Sequence, residues 1–166
     1  MMFSNQSIDS LSDAKPDVNM PLEENPRVKQ IAGKSRFYLD KDGKPVTKPT
    51  DWTDFCMKYT RDSAEGCRRC EQCDKNGGET AARTGRPAVY ECHAGLMDFG
   101  APIMLNGKQL GSILGGQILT APPNEDKFRA YAKEIGVDPE AYVKAVRDIQ
   151  IVPKERLEHA AEVLFM

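Results

Sequence analysis

The residues with the most chemistry in them are the cysteines. All five, Cys56, Cys67, Cys70, Cys73 and Cys92, fall between positions 56 and 92, and one of only two histidines, His93, directly follows the last. Soft donors packed this densely point first to a metal ion and second to redox chemistry. Structural zinc takes four tetrahedral ligands, commonly a close pair from one element and the others from elsewhere. Cys70 and Cys73 are such a pair, so zinc held by Cys56, Cys70, Cys73 and Cys92 is the expected cofactor. Two readings compete with it. Cys56 and Cys92 could be small buried hydrophobes, or an iron–sulfur cluster could use the thiols as a redox signal. The spacing of Cys67, Cys70 and Cys73 is three quarters of a ferredoxin-type run, with Gly77 in the fourth place. Cys92 and His93 make a poor nucleophile and base, because neighbours on a strand face opposite ways, and His159 is far off. No catalytic residue is expected, and the chain does not read as an enzyme.

The elements that must position these thiols follow in order. Residues 1–25, rich in Ser, Asn, Asp and Pro, predict a disordered leader, with a single domain over 26–166. A short helix is predicted over 26–33, and strands at Arg36–Leu39 and Pro45–Thr47 flank the turn pair Asp42-Gly43. Trp52, Phe55, Cys56 and Tyr59 recur at helical spacing, predicting a helix from Thr50 to Tyr59. Ser63 opens a second helix carrying Cys67, Cys70 and Cys73, which Asn76-Gly77-Gly78 is expected to end or interrupt. Val89–His93 then reads as a strand.

Two apolar runs meet at Asn106-Gly107, the preferred type I′ pair, and predict a hairpin. A two-residue turn would set Ile103 opposite Leu110, Ala101 opposite Ser112 and Phe99 opposite Leu114 on one apolar face. The other face, rich in glycine, is a candidate site, because strand glycines mark the close approach of a ligand or backbone. Asn124 and Gly136 bracket a helix, Asp138-Pro139 starts another through Arg147, and Pro153 opens a third with a stripe of Leu157, Ala160, Ala161 and Leu164.

Composition narrows the class. Lys and Arg number 23 against 25 Asp and Glu, with no basic stretch, so direct binding of nucleic acid is not expected. No apolar run is long enough for a bilayer and no signal peptide is evident, which reads as a cytoplasmic protein without a membrane anchor. Phosphate-loop and dinucleotide patterns are missing.

Several motifs taken together resemble one family. Phe55-Cys56, CxxCD at Cys70–Asp74, ARTGRP from Ala82, YECHAGL from Tyr90, DFGAPI from Asp98 and NGKQLGSILGGQILTAPP from Asn106 look like the PocR sensory domain. The similarity runs through the helical tail and covers about residues 35–166. It implies an α/β (α+β), PAS-like antiparallel sheet with flanking helices and a C-terminal helical segment. It also implies a small-molecule sensor for hydrocarbon-derivative ligands in prokaryotic signalling or transcription regulation, coupled to an effector domain or partner protein. Cys56, Cys70, Cys73 and Cys92 fall on the family's cysteine pattern, and Cys67 looks like an addition. On this reading Tyr90, His93, Phe99 and Gln117 line the ligand site, although strand alternation sets Tyr90 and His93 apart. The C-terminal stripe would pair with a second copy, as a homodimer, or pass on a ligand-dependent shift.

Overall fold

The computed structural model describes residues 35–40, 46–47 and 52–165. The leader, the helix at 26–33 and the Asp42-Gly43 turn lie outside these residues. Four antiparallel strands, β1 (Ser35–Asp40), β2 (Ala88–Glu91), β3 (Met97–Leu105) and β4 (Lys108–Ile118), form one sheet in the order β1-β4-β3-β2. Helices flank it, as expected of the PAS-like α+β class. Beside β1, the Val46 N–H donates to the Tyr38 carbonyl at 2.8 Å, where the second short strand was expected.

Between β1 and β2 lie α1 (Phe55–Thr60) and α2 (Ala64–Thr84). The first is a correction to the predicted α-helix over Thr50–Tyr59: it is a single π-helical turn, closed by Arg61 N–H donating to the Cys56 carbonyl at 2.8 Å. The Thr60 hydroxyl donates to the Phe55 carbonyl across the same five-residue step. Such turns recur at functional sites because they re-aim one side chain. Here Phe55 goes inward, with its ring centroid 4.4 Å from that of Tyr142, and Cys56 turns toward the sheet.

α2 is capped as predicted at its start, where Ser63 Oγ accepts from Gly66 N–H at 3.0 Å, and at its end, where Gly85 takes φ 64°. It is unbroken through Asn76-Gly77-Gly78, contrary to the expected interruption. Tertiary contact decides the matter, since Gly77 and Gly78 are both buried, against Tyr90 and Ser112. Glycine weakens an isolated helix by about 1 kcal/mol, but here it lets the helix lie directly on the strands.

The hairpin has its predicted turn, with φ 49° at Asn106 and 75° at Gly107. Its register differs. A bulge between Ile103 and Met104 leaves Leu110 unpaired, so Ile103 faces Gly111, Ala101 faces Ile113 and Phe99 faces Gly115. A one-residue slip exchanges the faces of a strand. Leu114 and Ser112 therefore share the α2 side with Gly100, and Phe99 lies on the opposite side. A second irregularity, between Met97 and Asp98, leaves Gln117 as an extra residue with φ 63°.

The helices α3 (Glu125–Ile135), α4 (Pro139–Arg147) and α5 (Lys154–Phe165) begin and end as expected, the first two on Asn124 and Asp138 caps. Phe55, Leu96, Phe128, Tyr142, Val143 and Val146 form the larger core with α3 and α4. Leu157, Ala160 and Ala161 of α5 pack on Phe99 and Ile118. The stripe proposed for pairing with a second copy is thus covered, at these three residues, by the chain's own sheet; the Leu164 side chain lies outside the described set.

Candidate functional site

One cavity opens between α1, α2 and the sheet. Cys56 and Arg61 reach it from α1 and the residue after it, Cys70, Cys73 and Asp74 from α2, and Tyr90, Asp98 and Leu114 from the strands. Cys92 and His93 come from the turn after β2. That strand ends at Glu91, not at His93 as predicted. The chain then reverses through Cys92 N–H to Leu96 O at 2.7 Å and Gly95 N–H to Cys92 O at 2.9 Å, with Gly95 at φ 86°. Leaving the strand releases these residues from its alternation, so Tyr90, Cys92 and His93 all border one space. Gln117 borders it too. Phe99 does not: it sits under α5 on the far face, and Cys67 is likewise outside the lining.

About 490 Å³ in and around the cavity holds no atom, and about 40 Å³ admits the centre of a water molecule. Arg61 Nη2 and Asp74 Oδ2 meet at 2.6 Å, and the guanidinium lies 4.4 Å over the Trp52 ring. Burial raises the Asp74 carboxyl, and the Arg61 charge opposes that rise. Asp98 Oδ1 accepts the Gln117 N–H at 2.7 Å, and burial still pushes its carboxyl up to about 7. The Gln117 carboxamide oxygen accepts from Thr53 twice, N–H at 3.0 Å and hydroxyl at 2.9 Å. The Tyr90 hydroxyl is buried with no hydrogen-bond partner among the described residues.

Burial opposes ionisation of the thiols that line the cavity. Burial pushes Cys56 up to about 12, raises Cys70 and Cys73, and raises Cys92 well above the ordinary thiol value. His93 joins two of them: its Nε2 lies 3.1 Å from Cys70 Sγ and its backbone N–H donates to Cys73 Sγ at 3.3 Å. Its Nδ1 pairs with the Tyr131 hydroxyl on α3. Burial lowers the imidazole to about 4, so the ring is neutral. This pairing of His93 with Cys70 was invisible to a search for neighbours in sequence, because 23 residues separate them.

These positions test the fit of a metal ion. The four expected thiols do surround one space, but among the described residues no three Cys, His, Asp or Glu side chains converge to hold an ion. Tetrahedral zinc needs four donors directed at one point. The side chains as placed ring the cavity and do not supply that point.

Comparison with known proteins agrees with the motifs. A model of the sensory domain found in PocR matches residues 27–166. The regulatory protein PocR of Salmonella typhimurium is 32% identical over 89 residues, 54% of this chain and 29% of that protein. The chain therefore aligns with less than a third of that relative's length. No solved structure matches. No described helix is long and apolar enough to cross a membrane. With the match covering nearly all of its length, the chain belongs to the family of the PocR sensory domain, a domain of regulatory proteins.

Proposed function

We propose that the cavity between α1, α2 and the sheet binds a small, uncharged organic molecule of the hydrocarbon-derivative type. In this reading, binding there is the input of a prokaryotic signalling or transcription regulator. One observation carries it: Tyr90, whose buried hydroxyl has no partner among the described residues, lines this space. A polar group left so costs roughly 1–3 kcal/mol, a cost relieved when a bound molecule completes the hydrogen bond. The charge balance favours a neutral guest. Arg61 and Asp74 compensate each other, burial opposes charge on the lining thiols and on His93, and it raises the Asp98 carboxyl to about 7. Room for the centre of a water over only about 40 Å³ favours a guest of very few heavy atoms.

The domain acts here by binding and not by turnover. Zinc is not part of this reading, because the donors do not converge. Pairing with a second copy would use the outer side of α5, where Val163 and Phe165 are exposed. The test is a melting-temperature screen with C2–C4 alcohols, diols and carbonyl compounds on the wild type and on Tyr90→Phe. A rise that Tyr90→Phe loses is expected. No rise with any compound, or an equal rise in the variant, would sink the proposal.

A further inference from the structure

A thiol, an imidazole and a hydroxyl are linked in sequence, Cys70 Sγ to His93 to Tyr131, and the first two border the cavity. With Nδ1–H donating to the Tyr131 oxygen, Nε2 is left to accept the Cys70 thiol proton at 3.1 Å. A nucleophile within reach of a base that a third group orients is the arrangement that activates thiols. The nucleophile and base both border the cavity, as does Tyr90.

Resting on the ligand-binding reading above, we propose that Cys70 captures a short-chain aldehyde in this cavity as a reversible hemithioacetal, with His93 as proton carrier. The sulfur bonds to the carbonyl carbon and the C=O π bond opens. The thiol proton passes to His93 Nε2 and then to the former carbonyl oxygen, which becomes the hydroxyl of the adduct. Nothing is oxidised or reduced and no group leaves. Neutral thiol and neutral aldehyde give a neutral adduct, which suits a cavity that penalises charge. A space admitting water centres over about 40 Å³ corresponds to roughly three waters, the scale of acetaldehyde. A reversible adduct also suits a sensor, since it dissociates when the free aldehyde is depleted.

The experiment uses the full chain and [1-13C]acetaldehyde, with ethanol as the non-electrophilic control, read by carbon NMR and by melting temperature. Wild type and Cys67→Ser are expected to convert the carbonyl resonance into a protein-bound tetrahedral carbon, and Cys70→Ser to lose it. His93→Gln, which keeps the thiol, is expected to form the adduct about a hundredfold more slowly. This second variant decides the matter if Cys70→Ser does not fold. A melting-temperature rise with acetaldehyde or ethanol but no tetrahedral carbon would overturn the covalent step and leave the cavity reading standing. No rise with either and no adduct would remove both. A bound metal that Cys70→Ser alone releases would overturn the free-thiol role of Cys70.

Discussion

Gly77 lies flat against the ring of Tyr90: a methyl group added at Gly77 would sit 2.6 Å from the Tyr90 hydroxyl oxygen and overlap the ring carbons. The same glycine lies under Gly100, where an added Cβ would approach the Gly77 carbonyl at 3.2 Å. Gly77→Ala should therefore destabilise the domain, by roughly 1–3 kcal/mol for overpacking, although alanine improves an exposed helix by about 1 kcal/mol. Chemical denaturation measures the sign, and a more stable variant would show that α2 does not sit this close to β2.

Tyr90→Phe removes a hydroxyl without a hydrogen-bond partner among the described residues. The empty protein should gain stability, by roughly 1 kcal/mol, because a desolvated polar atom is lost while the ring is kept. Paired melts with and without ligand should show the two effects moving in opposite directions. A loss of stability in the empty protein would mean that the hydroxyl has a partner there.

Asp98 gives a pH signature. Its carboxyl rises from an ordinary 3.8 to about 7 on burial, so the folded state holds this proton more tightly than the unfolded state. The resulting stability is fully present below 3.8 and is lost as pH rises through about 7. Asp98→Asn cannot ionise and retains an oxygen for the Gln117 N–H. It should be the more stable protein at pH 8, by up to about 4 kcal/mol for a shift of this size. Urea titrations across pH 4–8 would expose parallel curves, and with them an error in this assignment.

Arg61→Met strands Asp74 in a site where the two side chains are only 19% and 15% exposed. Removing one partner of such a pair costs roughly 2–4 kcal/mol, and replacing Asp74 by Leu as well should recover part of it. A double-mutant cycle on unfolding free energies provides the check. Additive losses would mean that the contact contributes little.

Much of the fold could be read from local chemistry. Ser63, Asn124 and Asp138 accept the first-turn N–H groups expected of them, and Asn106-Gly107 makes the expected turn. The misses arise where distant parts of the chain meet. Nothing near Gly77 announces that strands will cover it, and nothing near Leu110 announces the bulge that moves Leu114 to the α2 side and leaves Phe99 on the other. The residues that line the candidate cavity were legible as a set of residue types, since Tyr90, His93, Gln117 and four cysteines border it. The partnership of Cys70 with His93 depends on β2 stopping at Glu91, two residues earlier than the strand pattern implied.

The junction after β4 gives the domain a short mechanical linkage. Gln117 is clamped by Asp98 and Thr53, and Leu119, two residues on, forms a parallel bridge with Ile151. The Leu119 N–H donates to the Gln150 carbonyl, and the Val152 N–H returns to Leu119. A displacement of the Asp98 carboxyl would thus bear on the entry to α5 through a few hydrogen-bonded residues, much as a pushrod bears on a rocker arm.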